Sequence, residues 1–172
     1  MELEELIFSR RSVRNFIDKP IEKEKLKALG KAAIWAPTGG NSQPWKFVII
    51  SNPDTIHLIK TLSPGLLGEP AALIAVLSRR KYNIDKMGPI GETLALMDCS
   101  MASQNILLRA WDLGLGSCAV RSFNQKAVGE IIQSPEDCTP ELLITLGYPG
   151  KSPSPPPRDT GAVVWETCGE GV

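Results

Sequence analysis

Three arginines and a serine hydroxyl fall within five residues near the start of the chain: Arg10, Arg11, Ser12 and Arg14, in the run R-R-S-V-R-N-F at 10–16. A guanidinium presents a rigid fork of donors that matches phosphate oxygens, and each charge-assisted hydrogen bond contributes roughly 1.5–3 kcal/mol. The run is therefore a candidate phosphate receptor. In an extended stretch alternate residues share a face. That pattern predicts Arg10, Ser12 and Arg14 on one side and Arg11 on the other. For three arginines taken alone, a solvated basic turn is the plainer account.

Three further groups of residues carry chemistry. The segment 36–45 reads A-P-T-G-G-N-S-Q-P-W. Its small residues, Pro37, Thr38, Gly39 and Gly40, let backbone approach a flat ring closely. Asn41 and Gln43 offer both donors and acceptors, as a ring edge of alternating carbonyls and nitrogens requires. The alternative is an ordinary helix-to-strand loop, and Trp45 reads as a core residue. The run G-L-G-S-C at 114–118, followed by Ala119, Val120, Arg121 and Ser122, places Gly116 and Ser117 where exposed backbone amides can meet a ring edge; such a glycine pair also simply ends a helix. Arg158 follows K-S-P-S-P-P-P at 151–157. A proline-rich segment is stiff and extended, so it can hold an arginine far across a surface, or leave it exposed in a tail.

The elements that must position these groups are legible in part. Apolar spacing predicts helices over 2–8, 22–35 and 92–113 and a shorter one over 124–133. Asn52 before Pro53 is a helix start, cap followed by first-turn proline, with an end near 62. Compact β-branched runs predict strands over 46–51, 71–78, 117–120 and 142–146. The polar stretch 79–91 reads as a surface excursion, and 162–165 as an edge strand. Gly114 suits the left-handed position past the long helix. That helix is apolar on more than one side, with Leu94, Met97, Met101 and Leu108 on one stripe and Leu96, Leu107 and Trp111 away from it. A second subunit is the natural cover. This order of elements predicts an α/β sandwich in one domain over 1–172. A G-x-G-x-x-G is missing after the first strand, so a dinucleotide-binding Rossmann site is not supported.

Bulk properties exclude several classes. The 172 residues are 42% hydrophobic and 22% charged, as in a soluble globular domain. Lys plus Arg equals Asp plus Glu, 19 each, which gives no global field to draw nucleic acid or a membrane surface. The acidic opening, M-E-L-E-E-L, is unlike an export signal, and the longest apolar run, 71–77, is too short for a membrane span. A cytoplasmic location is expected. Cys99, Cys118, Cys138 and Cys168 are widely spaced and His57 is the sole histidine. Neither a zinc site nor a disulfide framework is expected, and the thiols read as small hydrophobes.

In order along the chain, R-R-S-V-R-N-F at 10–16, A-P-T-G-G-N-S-Q-P-W at 36–45, D-C-S-M-A-S-Q-N at 98–105, G-L-G-S-C at 114–118, L-G-Y-P-G at 146–150 and the proline stretch with Arg158 resemble the nitroreductase family of flavoproteins. The resemblance implies a three-layer α/β (α+β) sandwich with a mixed, mostly antiparallel sheet, in an intertwined homodimer with FMN at the subunit seam. It also implies hydride transfer from NADH or NADPH through FMN to nitroaromatic, quinone or similar small acceptors in ping-pong turnover. By position, Arg10 and Ser12 would hold the FMN phosphate, with Arg11 also among the cofactor-binding residues, Arg158 would complete the clamp, and Arg14 would lie near the pyrimidine side of the ring. Pro37, Thr38, Gly39 and Asn41 would reach the ring, often from the partner subunit, and Gly116, Ser117, Arg121 and Ser122 would lie near it. Arg121 and Ser122 depart from relatives, which place uncharged or acidic residues there. The short 63–91 region implies a more open substrate pocket. The alternatives are another flavin enzyme of the same fold, of dehalogenase or flavin-fragmenting type, and a non-catalytic FMN-binding module.

Overall fold

The computed structural model of the chain describes residues 2–151 and 153–163. Four strands form one sheet: β1 (Trp45–Ile50), β2 (Ala72–Ser78), β3 (Gly116–Val120) and β4 (Thr139–Gly147), in the order β1-β2-β4-β3 with every neighbour antiparallel. Among the described residues the one parallel pairing is an isolated bridge between Ser12 and Ser117. β2 is buried along its whole length, as its unbroken apolar sequence predicts for a central strand covered on both faces.

Helices supply those covers. On one face Ala72, Ile74, Val76, Ile144 and Leu146 pack with Leu26, Leu29 and Ala33 of α2 (Lys23–Ile34) and Ala102, Ile106 and Ala110 of the long helix at Gly91–Asp112. On the other, Leu73, Ala75, Leu77 and Leu143 pack with Ile56 and Ile59 of α3 (Pro53–Thr61) and Val128 of the helix at Gln125–Ile131. Alternate residues of β2 thus feed two separate cores, and the architecture is a three-layer sandwich. A short α1 (Leu3–Ser9) precedes the basic run. Asn52 caps α3, its side chain accepting from the Thr55 N–H at 2.9 Å, and Gly114 takes φ 73° past the long helix.

Three expectations need correction. Residues 79–91 are not an irregular excursion: Arg80–Met87 form helix α4, so the long helix is α5 and Gln125–Ile131 is α6. Tertiary polar contacts hold α4. Arg80 donates to both oxygens of Glu141, at 2.8 Å each, and the buried Asn83 donates to the Gly91 carbonyl at 2.8 Å. β4 is longer than 142–146; it starts at Thr139 and takes Pro140 at an irregularity in the β2 register, where a missing N–H is tolerated. The expected edge strand at 162–165 begins instead in a 3-10 turn, Thr160–Ala162, and positions 164 and 165 lie outside the described residues.

The core face of α5 is made of small residues, Ala95, Cys99, Ala102 and Ala110 with Ile106. Met97 and Met101 are exposed, as are Leu3, Ile7 and Phe8 of α1 and Trp35. Among the described residues no helix is long and apolar enough to cross a membrane. Cys99, Cys118 and Cys138 are free and buried; burial pushes the Cys99 thiol up to about 12 and the Cys138 thiol up to about 11, so both stay protonated and inert. Cys168 lies outside the described residues.

Candidate functional site

The basic run lies along the β3 edge of the sheet. Val13 donates its N–H to the Ser117 carbonyl at 2.9 Å, Ile17 donates to Tyr148 at 3.0 Å, and Phe16 bridges Pro149. Glycines from four places admit it. A Cβ on Gly116 would come 2.7 Å from Val13, one on Gly68 2.0 Å from the Arg14 carbonyl oxygen, one on Gly147 2.7 Å from the Phe16 ring, and one on Gly150 2.3 Å from Asn15 Oδ1. The backbone of 13–16 is therefore seated by close approach on every side, with Val13 fully buried. Gly116 serves this packing rather than an open backbone surface. Ser117 is fully buried, its Oγ without a hydrogen-bond partner among the described residues.

Asn15 ties the run to the proline strap. Its Oδ1 accepts from the Lys151 N–H at 3.1 Å, and its carbonyl accepts from the Gly150 N–H at 3.0 Å. The strap then passes back over the arginines. Arg10, Arg11, Ser12, Arg14, Pro153, Ser154, Pro156 and Arg158 line one cleft of about 480 Å³. A second hollow of about 390 Å³ shares Ser12, Arg14 and Pro153 with it and adds Asn15 and Lys151.

Four guanidiniums thus converge, and among the described residues none is ion-paired with a carboxylate. Burial, then the charges of Arg11 and Arg158, pull the Arg10 guanidinium below its ordinary value. The expected alternation fails for Arg11, which lines the cleft with the others. Of residues 10–14 only Ser12 makes a strand-like bridge, and Arg11 Nη1 turns back to donate to the Phe8 and Arg10 carbonyls at 2.6 and 2.7 Å.

The loop at 37–41 stands elsewhere. It leads into β1, the opposite edge strand, at the end where Trp45 faces Ser78; Ser117 faces Leu146 at the other end of the sheet. Three strand spacings separate the edges, about 14 Å, and the length of β2 adds about 20 Å along the strands. The arginine cleft and this loop occupy diagonal corners of one chain. The loop closes on α5: the Gly39 N–H donates to Asp98 Oδ1 at 3.3 Å, and a Cβ on Gly39 would meet Leu94 at 3.2 Å. Gly40, Asn41 and Gln43 all adopt positive φ, 54°, 51° and 50°. Gln43 holds the turn through Nε2 to Asn41 Oδ1 at 3.1 Å and its N–H to Thr38 Oγ1 at 3.3 Å, while Pro37 and Asn41 are exposed.

Asp98 is 1% exposed, its Oδ2 unpartnered; burial raises its carboxyl above the usual range, against the pull of the Gly39 hydrogen bond. Arg121 and Ser122 are exposed at the far end of β3, outside the arginine cleft, Arg121 lying 5.7 Å over the Phe123 ring. Residue types pointed to the arginines. Asn15, Lys151 and Gly68 escaped notice, because one amide, one lysine and one glycine carry no local signal of what they touch.

This combination, a three-layer sandwich with a basic cleft at one edge and a glycine-rich loop at the other, belongs to a known class. The Nitroreductase family model matches residues 7–64 and 58–148. The chain belongs to the nitroreductase family. It is 32% identical over 153 residues to an Archaeoglobus fulgidus protein named NADH dehydrogenase/NAD(P)H nitroreductase, covering 84% of this chain and 83% of that protein. It is 26% identical over 170 residues to the FMN reductase (NADPH) of Bacillus subtilis, covering 90% of this chain and 68% of that one. A solved nitroreductase family protein from Clostridium difficile 630 superposes with a TM-score of 0.85 at 29% identity, covering 97% of this chain and 99% of that chain.

Proposed function

We propose that the chain is an FMN-dependent NAD(P)H oxidoreductase that works as a homodimer, with the FMN phosphate in the arginine cleft. The observation that carries this reading is the convergence of Arg10, Arg11, Arg14 and Arg158, brought together by the strap, with no carboxylate paired to them among the described residues. Like charges held together cost free energy that a bound dianion offsets. The cleft therefore fits a phosphate monoester. Family membership, and relatives named for NAD(P)H and for FMN, support the same assignment.

The chemistry supplied by bound FMN is hydride transfer, from NADH or NADPH to a nitroaromatic, quinone or similar acceptor in ping-pong turnover. The protein's work is binding and orientation. Arg10, Arg11, Ser12 and Arg158 hold the phosphate. Arg14, shared between the cleft and the adjoining hollow, places a cation toward the pyrimidine edge, where it favours a negatively charged reduced ring. Pro37, Thr38, Gly39 and Asn41 come from the diagonal corner and so serve the ring bound to a partner chain. The exposed Met97, Met101, Leu3, Ile7 and Phe8 supply apolar surface for that seam. Gly116 and Ser117 seat the arginine run from beneath, and Arg121 and Ser122, at the far end of β3, would reach a ring only from that corner.

Purified protein should be yellow, release non-covalent FMN on denaturation, run as a dimer by light scattering, and consume NADH or NADPH with menadione or nitrofurazone. A colourless protein that ignores added FMN overturns the reading. A yellow dimer that consumes no NAD(P)H with either acceptor would leave a binding module instead.

A further inference from the structure

Asp98 stands out among the buried polar groups of the chain. It sits on the core side of α5 beside Ala95, Cys99 and Ala102, where a carboxylate is costly to bury. Among the described residues it pairs with no arginine, its one hydrogen bond is accepted from the backbone N–H of Gly39 at 3.3 Å, and its second oxygen has no partner. The loop it grips is under conformational strain, with Asn41 and Gln43 in the left-handed region that non-glycine residues avoid. Within that loop Asn41 Oδ1 is already engaged by Gln43, which leaves the amide donors of the exposed Asn41 uncommitted among the described residues.

α5 also spans the two corners of the chain. From Asp98 the helix runs about 20 Å to Trp111, whose Nε1 donates to Ser9 at 2.8 Å, next to the basic run. One rigid element therefore bears both the loop and the start of the arginine cleft.

We infer that Asp98 is the positioning residue for the ring-contacting loop: from within α5 it fixes Gly39, and through Gly39 the reach of Thr38 and Asn41 toward the cofactor's flat ring. This rests on the reading above, that the loop meets FMN. The buried acceptor oxygen holds a strained backbone at a set height above the helix, and Gly39, lacking a Cβ, lets that backbone close onto Leu94.

Two replacements separate this role from simple packing. Asp98→Leu keeps the branched shape, at greater bulk, and removes the acceptor; Asp98→Asn keeps an acceptor oxygen and removes the charge. The leucine variant should stay folded, lose about tenfold in FMN affinity, and show a visible flavin absorption and circular dichroism spectrum shifted toward that of free FMN. The asparagine variant should restore the wild-type spectrum and bind FMN within about twofold of wild type. Asp98→Ala answers the same question where leucine's bulk prevents folding. An acceptor-less variant with unchanged affinity and an unchanged flavin spectrum overturns the inference, whatever its melting temperature. A wild-type protein that binds FMN while the variants match it sinks this inference alone; a wild type that binds no FMN sinks the site assignment first.

Discussion

With Arg10 and Arg158 both replaced by alanine, the protein should fold as before and lose FMN. The two residues approach the cleft from opposite ends of the chain, Arg10 out of α1 and Arg158 at the end of the proline strap. Each charged hydrogen bond to phosphate contributes about 1.5–3 kcal/mol. Loss of both corresponds to roughly a hundredfold to ten-thousandfold weaker binding. Neither guanidinium is paired with a carboxylate among the described residues, and Arg10 already feels the charges of Arg11 and Arg158. Removing them therefore takes away repulsion rather than support, and the melting temperature of the FMN-free protein should hold or rise. Titration of FMN into the stripped protein, followed by flavin fluorescence, measures the first effect; circular dichroism melts measure the second. Lys27→Ala, which breaks only an exposed pair with Glu24, is the control and should change neither. Retention of stoichiometric FMN by the double variant would remove the phosphate from this cleft.

Gly68→Ala should be the most damaging single methyl addition among the described glycines. Gly68 has φ 75°, and its Cβ would sit 2.0 Å from the Arg14 carbonyl oxygen. The left-handed conformation costs an L-residue about 1–2 kcal/mol, and forced repacking adds about 1–3 kcal/mol. The contact is with backbone, so relief requires moving either the 66–71 loop or the basic run itself. Melting should fall by about 5–15 °C for a domain of this size, with weaker FMN binding as Arg14 is displaced. Gly114 separates the two causes. Its φ is 73°, but nothing lies within 4 Å of its Cβ position. Gly114→Ala should show the conformational cost alone. Equal melting losses for the two variants would mean that Gly68 does not seat the arginine run.

The central strands were legible because their causes are local: unbroken β-branched runs with turn residues on either side. α3 was legible from Asn52 and Pro53, and the end of α5 from Gly114. α4 was not, because its hold on the fold comes from Arg80 reaching Glu141, 61 positions away, and from the polar Asn83 rather than an apolar stripe. β4 looked too short for the same reason. Pro140 and Glu141 are poor strand residues, admitted here by a register irregularity and a distant arginine. For the site, arginine chemistry and a stiff proline segment implied a phosphate clamp, and the convergence of Arg158 with Arg10 follows from the way Asn15 pins Lys151 at the root of the strap. The seating of that run on Gly68, Gly116, Gly147 and Gly150 depends on distances between segments remote in sequence, which no local spacing encodes. Asp98 belonged to a recognisable run, yet its bond to Gly39 spans 59 positions.

The diagonal placement of cleft and loop has a genetic corollary. In the proposed pair, a chain crippled at its arginines still has a sound loop to lend, and a chain crippled at its loop still offers sound arginines. Co-expressed, the two defective sequences would assemble mixed pairs in which one composite centre is whole and the other doubly broken. Lesions at opposite corners would thus complement one another, whereas two lesions at the same corner never would.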